Sequence, residues 1–277
     1  LKQTRIYLRA EWSKKMDILD EIAQKTRERL VLCKELKTLE QVKEEALAMD
    51  CNTGFPFEEA LKKKGVSFIC EVKKASPSKG VIAKEFPYVE IAKMYEEAGA
   101  SAVSVLTEPY YFQGANQYLT EIHDAVTLPL LRKDFTVDEY MIYEAKVIGA
   151  SAALLICSLL DGSVLKNYIK IADKLGLTAL VESHNEEEVR QAVTAGARVI
   201  GVNNSDLRTF TVDIKNSIRL RKLVPGEILF VSESGIRTAE DIKELAENHV
   251  NAALIGETMM RSGNIKVTLA EMIKNGQ

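Results

Sequence analysis

The chain has few of the residues that mark disulfide-bonded or metal-binding proteins. Its 277 residues include four cysteines and three histidines. Cys33, Cys51, Cys70 and Cys157 lack the close spacing of zinc motifs, and the histidines are far apart in the sequence. Two of the cysteines lie in predicted strands, where a free thiol is usually buried. We therefore expect no metal site, and we expect reduced cysteines in a cytoplasmic protein.

Long apolar runs and an excess of basic residues are also missing. No apolar run reaches the roughly 20 residues that a membrane-spanning helix needs, and no signal-peptide pattern is present. The 37 Lys and Arg residues are balanced by 40 Asp and Glu residues, which gives a net charge of -3. These absences argue against a membrane protein and against a protein that binds nucleic acid.

What the chain does contain is a strand–helix unit that occurs eight times. In each unit, a short apolar run ends at a polar residue or a glycine and is followed by a helical pattern. Eight units predict an α/β fold, the closed (β/α)8 or TIM barrel of about 250 residues. The predicted strands are Val66–Cys70, Ala102–Leu106, Leu128–Leu131, Ala152–Ile156, Thr178–Val181, Val199–Val202, Ile228–Val231 and Ala252–Ile255.

The segment before the first strand is predicted to be an addition to the barrel. Residues 1–15 are polar and basic without an apolar period, so we treat them as an N-terminal extension of undetermined order. We assign residues 16–277 to a single TIM-barrel domain. Helices predicted at Ile18–Leu30, Leu39–Ala48 and Phe57–Lys64 are expected to pack across one end of the barrel.

Charged residues end several of the predicted strands. Active sites of TIM barrels lie at the C-terminal ends of the strands. Glu71 and Lys73 flank Val72, so their side chains point to the same face, and Lys133 and Glu182 each close an apolar run. One such pair could be structural, although a buried ion pair adds little net stability. Several such residues at one rim instead indicate a catalytic site.

Glycines follow the seventh and eighth strands, in the segments Ser232–Gly235 and Ile255–Thr258. Glycine lets backbone N–H groups approach an anion closely, and these two loops often bind phosphate in TIM barrels. Gly235 and Gly256 therefore predict a phosphate site, although either could be only a turn residue. The loop after the first strand, residues 74–87, is long for this fold. Its position on the rim favours a lid over a solvent-exposed connection.

Seven segments of the sequence together are similar to one known family. The chain resembles the indole-3-glycerol-phosphate synthase family from about Met16 to the C-terminus. The order, the spacing and the strand-end positions of the segments all match. The segments are Glu71–Gly80 (EVKKASPSKG), Ser104–Thr107 (SVLT), Tyr111–Gly114 (YFQG), Leu131–Phe135 (LRKDF), Leu180–Glu182 (LVE), Gly201–Asn204 (GVNN) and Ser232–Ile236 (SESGI).

The resemblance implies a decarboxylating lyase of tryptophan biosynthesis. Members of the family convert 1-(2-carboxyphenylamino)-1-deoxyribulose 5-phosphate to indole-3-glycerol phosphate, with loss of carbon dioxide and water. They use neither a metal nor an organic cofactor. The expected partner of this chain is therefore a small phosphorylated substrate, and we expect the chain to be a monomer.

The resemblance also implies roles for individual residues. Lys133 corresponds to the general acid that protonates the substrate carbonyl for ring closure, and Glu182 to the carboxylate of the later dehydration. Lys73 corresponds to a second catalytic lysine close to the phosphate. The other implied site residues are Glu71, Asn203 and Ser234 as orienting groups, Ser76, Gly235, Gly256 and Glu257 at the phosphate, and Phe112 and Phe135 beside the aromatic ring. Ordinary core packing explains Phe135 equally well.

Two points about this site stay open. The family usually has an arginine two residues after the equivalent of Asn203, where this chain has Ser205; Arg208 is a candidate to take its place. Arginine offers a fork for carboxylates that serine cannot reproduce. Desolvation, or a second lysine nearby, would lower the pKa of Lys133, whereas a neighbouring carboxylate such as Glu71 would oppose that shift.

Two other functions fit part of the pattern. Another phosphate-binding barrel enzyme, an isomerase or an aldolase, would use the same phosphate site, and an aldolase could form a Schiff base on Lys133 or Lys73. A non-catalytic relative that binds a phosphorylated metabolite or a partner protein would be compatible with Ser205. The retention of Lys133, Lys73 and Glu182 argues against that alternative.

Overall fold

The computed structural model describes residues 17–205 and 211–277. In these ranges, eight parallel strands pair in chain order and close into a barrel, because the first barrel strand pairs with both the second and the last. This confirms the predicted (β/α)8 fold. The strands are β1 (Ser67–Val72), β2 (Ala75–Ser76), β3 (Gly80–Val81), β4 (Ala102–Leu106), β5 (Leu130–Lys133), β6 (Ala152–Ile156), β7 (Thr178–Ser183), β8 (Val199–Asn203), β9 (Leu229–Glu233) and β10 (Ala252–Ile255). Strands β2 and β3 form a separate antiparallel hairpin.

Helices precede the barrel and connect its strands. Capping boxes at Thr38 and Thr238 start two of them, and Gly196 ends another with a φ of 90°, a left-handed conformation that favours glycine. No helix of the described residues is long and apolar enough to cross a membrane. The helices are α1 (Ile18–Leu36), α2 (Leu39–Ala48), α3 (Pro56–Leu61), α4 (Tyr88–Glu97), α5 (Asn116–His123), α6 (Tyr140–Val147), α7 (Gly162–Lys174), α8 (Glu186–Ala195), α9 (Lys215–Arg221), α10 (Ala239–Glu247), α11 (Glu257–Met260) and α12 (Ile265–Asn275), with a 3₁₀ turn at Cys157–Leu159.

The strand bounds differ from the prediction where charged residues continue an apolar run. The first strand reaches Val72, because Glu71 and Val72 still pair with β4. Strand β5 is shifted two residues toward the C-terminus and includes Arg132, whose guanidinium points outward and donates to the carbonyl oxygen of Met141 at 2.8 Å. Polar residues can therefore complete a strand when partners on both of its faces satisfy them.

Alternate residues of the strands fill the barrel interior, and the same period brings charges to the rim. Ile69, Leu131, Leu180 and Val231 belong to one buried apolar cluster inside the barrel. The residues two positions later in these strands are Glu71, Lys133, Glu182 and Glu233. Because successive side chains of a strand point to opposite faces, these charged groups stand directly above the apolar interior.

The N-terminal helices cover both ends of the barrel, so the expectation of a single covered end was wrong. Phe57 and Leu61 of α3 are fully buried in the interior cluster at the end where the strands begin. At the opposite end, Arg29 of α1 binds Asp134, the residue after β5, through two bonds of 3.1 and 3.0 Å. A pattern of apolar residues shows that a helix packs, but the partner is set by contacts 105 residues away in sequence. The predicted extension at residues 1–15 lies outside the described residues.

Candidate active site

One cavity of about 890 Å³ lies at the C-terminal rim of the barrel. Every site residue predicted from the sequence lines it, and these residues come from four barrel strands and from the loops after five strands. Apolar side chains, among them Leu154 and Leu254, complete its floor. The predicted residues in the wall are Glu71, Lys73, Ser76, Phe112, Lys133, Phe135, Glu182, Asn203, Ser234, Gly235, Gly256 and Glu257.

Lys133 is the centre of the charged groups on this rim. Its Nζ donates to Glu182 Oε2 at 2.8 Å and lies 3.3 Å from Glu233 Oε2. The side chain of Lys133 is 14 % exposed, and those of its two partners are 3 % and 2 % exposed. The ammonium group is thus shielded by protein on the barrel side but can be reached from the cavity.

The pKa values of these three groups are set by their burial and by their mutual charges. Burial lowers the pKa of Lys133, but the charges of Glu182 and Glu233 outweigh it and hold this pKa above its ordinary value. Burial raises the pKa of Glu182, but the charges of Lys133 and His184 outweigh this effect and hold the pKa below its ordinary value. For Glu233, burial prevails over the attraction of Lys133, and the pKa is raised. Lys133 is therefore an ammonium and Glu182 a carboxylate near neutral pH, so the sequence-based possibility of a lowered lysine pKa is not realised.

Glu233 has one oxygen that none of the described residues satisfies. Its Oε1 atom is buried and has no hydrogen-bond partner there. It lies directly over Gly201, where a side-chain carbon would collide with it. A buried acceptor without a partner is costly, and protonation of the group reduces that cost. The geometry and the raised pKa of Glu233 therefore agree.

Two residues besides Lys133 contact the carboxylate of Glu182. Asn203 donates from Nδ2 to Oε1 at 3.4 Å. The Nε2 atom of His184 lies 3.4 Å from the same oxygen, although it is not aligned for a hydrogen bond. Ser205 also lines the cavity, and its backbone N–H donates to Asn203 Oδ1 at 3.0 Å. Arg208, the suggested replacement for the family's arginine, lies outside the described residues.

A second lysine–carboxylate pair occupies the adjacent part of the rim. Lys73 Nζ donates to Glu71 Oε1 at 2.6 Å, and Ser104 Oγ donates to the other carboxylate oxygen at 3.4 Å. Both groups pack against Gly256, because a Cβ atom built there would lie 2.6 Å from Glu71 Oε1 and 3.1 Å from Lys73 Nζ. The absence of a side chain at this position is what lets the pair lie beside the backbone.

The two glycine loops and the β2–β3 hairpin surround this pair. Ser234 and Gly235 have φ angles of 67° and 80°, so the chain turns sharply after β9, and a non-glycine residue adopts a strained conformation there. Ser76 in the hairpin lines the same cavity, as does Lys79, whose Nζ lies 4.0 Å from Glu257 Oε1. The long loop thus reaches over the cavity mouth, which agrees with its predicted position.

Phe112 and Phe135 form the other wall of the cavity, with ring centroids 6.0 Å apart. Phe135 is 7 % exposed and belongs to the apolar cluster of the barrel interior, so it both packs and lines the cavity. The loop that carries Phe112 winds around the buried carboxylate of Glu108, which accepts the backbone N–H groups of Tyr111 at 2.7 Å and of Phe112 at 2.9 Å. The sequence analysis gave no role to Glu108.

Glu233 and His184 were also missed as site residues. A usable signal was present for both. The period of two that places Val231 on the inner face leads to Glu233, and the period that leads from Leu180 to Glu182 continues to His184. In the part of the chain that the structure describes, no group of three or more His, Cys, Asp or Glu residues could hold a metal ion.

These groups together can perform acid–base chemistry on a phosphorylated aromatic compound. An ammonium and a carboxylate meet at Lys133 and Glu182, above an apolar floor and beside two aromatic rings. The glycine loops follow β9 and β10, two and three strands along the barrel from Glu182, and can offer backbone N–H groups to an anion there.

Comparisons with known proteins agree with this chemistry. The family model described as indole-3-glycerol phosphate synthase matches residues 19–272. The indole-3-glycerol phosphate synthase of Ruminiclostridium cellulolyticum is 56 % identical over 255 residues, which are 92 % of this chain and 98 % of that protein. The enzyme of the same name from Endomicrobium trichonymphae is 53 % identical and covers 92 % of this chain and 99 % of its own length.

A solved structure supports the fold alone. The 3-hexulose-6-phosphate synthase of Salmonella typhimurium superimposes with a TM-score of 0.63 at 12 % sequence identity. The match covers 76 % of this chain and 98 % of that one.

Proposed function

The chain belongs to the indole-3-glycerol phosphate synthase family, and we propose that Lys133 and Glu182 carry out the proton transfers of the family reaction at the barrel rim. The family activity is that of a decarboxylating lyase in tryptophan biosynthesis. It joins the ring carbon that bears the carboxylate to the carbonyl carbon of the sugar phosphate, and then loses carbon dioxide and water.

The position of Lys133 carries this proposal. Ring closure turns the substrate carbonyl into a hydroxyl group, so an acid must deliver a proton to that oxygen. Lys133 is an ammonium, it is open to the cavity, and it is fixed by Glu182 at 2.8 Å and by Glu233 at 3.3 Å. An acid that is already held in place adds no ordering cost to the transition state.

Glu182 acts after ring closure. Loss of carbon dioxide restores electrons to the ring, and the hydroxyl group then leaves as water while a proton is removed to form the indole. The depressed pKa of Glu182 keeps it ionised and ready to accept that proton. Asn203 fixes the orientation of the carboxylate through Oε1.

Lys73 serves the phosphate end of the substrate. Its ammonium lies against Gly256, one of the two glycines predicted to bind the phosphate, and Ser76 and Gly235 line the same cavity. Glu71 holds Lys73 at 2.6 Å and limits its movement. Phe112 and Phe135 flank the aromatic ring at the opposite end, and the β2–β3 hairpin closes over the substrate as a lid.

The two proton-transfer roles can be separated in one experiment. The carboxyphenylamino-deoxyribulose phosphate with ¹³C in its carboxylate reports decarboxylation as labelled carbon dioxide, while fluorescence reports the indole. In a single turnover, Lys133→Met should give neither product. Glu182→Gln should release carbon dioxide and form little indole. His123→Gln, an exposed change at the end of α5, is the control and should behave as wild type. Equal losses of both products in Glu182→Gln would place this residue before decarboxylation and contradict its role.

We also propose that the chain acts as a monomer in the cytoplasm. All twelve predicted site residues come from a single barrel, so the site needs no residue of a second copy. The four cysteines are free thiols, which suits a reducing compartment. Sedimentation equilibrium should give a mass near 30.9 kDa, and a dimer at micromolar concentration would contradict the proposal.

A further inference from the structure

His184 lies behind Glu182, outside the cavity but in contact with the carboxylate that faces it. Its side chain is 20 % exposed. The Nε2 atom is 3.4 Å from Glu182 Oε1, and the Nδ1 atom is 3.0 Å from Glu188 Oε2. The imidazole thus lies between two carboxylates, one from the end of β7 and one from the first turn of α8.

The turn between β7 and α8 does not depend on this ring. The backbone N–H of His184 donates to Glu188 Oε2 at 2.8 Å, and Asn185 caps α8 by accepting the N–H of Glu188 at 3.0 Å. The Asn185 side chain also donates to Glu188 Oε1 at 2.7 Å. Because these bonds already fix the turn, the contact of the ring with Glu182 remains to be explained.

The groups that other elements bring against His184 are uncharged, so they do not oppose a protonated ring between two carboxylates. From α9, Asn216 Nδ2 donates to the carbonyl oxygen of His184 at 3.1 Å and brings no charge. From the 3₁₀ turn, Cys157 Sγ contacts the backbone oxygen of Glu188, and burial raises the pKa of this thiol to about 12, so it is neutral. Lys133 lies on the far side of Glu182. Burial lowers the pKa of His184, but the neighbouring carboxylates of Glu182 and Glu188 raise it by more, to about 10.

We propose that His184 is a positioning residue that holds Glu182 as an oriented carboxylate. Among the described residues, Glu182 accepts hydrogen bonds from Lys133 and Asn203, has His184 Nε2 at 3.4 Å, and contacts no arginine. Lys133 engages Oε2, so His184 is the cation at Oε1, the oxygen shared with Asn203. This inference rests on the proposed role of Glu182, and it adds that the reactivity of this carboxylate is set by a group that does not touch the substrate.

The pairing can be measured without turnover. In the full-length protein labelled with ¹⁵N-histidine, the resonances of His123 and His249 are assigned by substitution, and His184 is followed with pH. His184 should remain protonated above pH 8 in wild type and should titrate at lower pH in Glu182→Gln. An ordinary His184 titration near pH 6.5, or one that is the same in both proteins, would overturn the proposal.

Kinetics test the consequence. His184→Gln keeps a polar side chain of similar reach and removes the charge, so the pKa of Glu182 should rise by about 1 to 3 units. The acidic limb of the kcat/KM profile should move to higher pH by the same amount, while KM at pH 8 stays close to wild type. His123→Gln serves as the control. A loss of activity with an unmoved pH profile would mean a structural role only. Full activity of Glu182→Gln would instead overturn the role of Glu182, and the NMR titration would still report whether the two residues are paired.

Discussion

Each end of the barrel contains a buried glutamate, and the two are satisfied very differently. At the end closed by α3, Glu58 is 6 % exposed and receives three bonds from Arg198, at 2.7, 3.0 and 3.1 Å. Thr178 adds a fourth bond at 3.3 Å. At the open rim, Glu233 is 1 % exposed and has Lys133 at 3.3 Å on one oxygen, while none of the described residues bonds the other.

This difference separates a stabilising carboxylate from a reactive one. A fully bonded buried ion has lower free energy than a partly bonded one, and its proton affinity stays fixed by its partners. A partly bonded ion can respond to a ligand that supplies the missing bond. The closed end is also filled by Phe57 and Leu61, whereas the rim keeps a cavity of about 890 Å³. Stability is therefore expected from the closed end and chemistry from the rim.

Removing the ammonium of Lys133 should have the largest effect on activity. Lys133→Met is expected to lower kcat by about 10² to 10⁴, the usual range for a general acid. The matched control is Lys146→Met. Lys146 is also largely shielded, at 6 % exposed, but its Nζ donates to the carbonyl oxygen of Asp50 outside the barrel. The control should lose stability and keep its kcat. If both variants lose activity alike, burial of a lysine rather than its place on the rim is responsible.

Removing the charge of Glu58 should lower stability and leave activity nearly unchanged, the opposite of the effect expected at Lys133. Glu58→Gln removes the buried carboxylate from Arg198 and leaves it Asp173 at 2.7 Å, and we expect the free energy of unfolding to fall by about 1–3 kcal/mol. The partial exposure of Arg198 keeps the loss below that of a fully buried pair. Urea unfolding gives the stability, and kcat should stay within about twofold of wild type. Glu186→Gln, in an exposed ion pair with Arg219, should change stability by less than about 1 kcal/mol.

Glu233 offers a test through pH. Burial raises its pKa to about 7 from the ordinary 4.5, against the attraction of Lys133. The folded protein then binds this proton more tightly than the unfolded chain does, so Glu233 costs stability as pH rises from about 4.5 to about 7. Relative to wild type, Glu233→Gln should therefore be more stable at pH 8 than at pH 5 by about 1–2 kcal/mol. A difference that does not vary between these two pH values would show that Glu233 is as well satisfied as Glu58.

Much of the rim could be predicted because it follows from strand periodicity. Each charged site residue at Glu71, Lys133 and Glu182 continues the inward-facing set of an apolar strand, and the C-terminal ends of parallel strands meet at one rim. The same periodicity leads from Val231 to Glu233, although no role for Glu233 was predicted. The family segments then supplied the chemistry that periodicity cannot.

The rest could not be predicted because it depends on contacts between distant residues. Nothing local in the sequence indicates that Arg29 of α1 binds Asp134, or that α1 and α3 take opposite ends of the barrel. The raised pKa of Lys133 likewise depends on the three-dimensional structure. Burial lowers this pKa and nearby carboxylates raise it, so the distances from Lys133 to the carboxylates decide the net shift. Sequence can name the groups of a buried charge cluster, but the sign of the pKa shift comes from the structure.

The smallest expected effect is also the most specific test of the rim. Ser205→Arg restores the residue that the family usually has, next to Asn203 in the cavity wall. If His184 already supplies the cation for Glu182, the new arginine should change kcat/KM by no more than about twofold in the wild-type background. In His184→Gln, however, the same substitution should recover most of the lost activity and return the acidic limb of the pH profile toward lower pH, because a guanidinium can again bond the carboxylate. A double-mutant cycle at pH 6 measures this coupling, and additive effects within about twofold would mean that residues 184 and 205 act independently. A gain in the wild-type background alone would mean that Glu182 Oε1 lacks a cationic partner despite His184, and the rim would then be less well satisfied than the distances indicate.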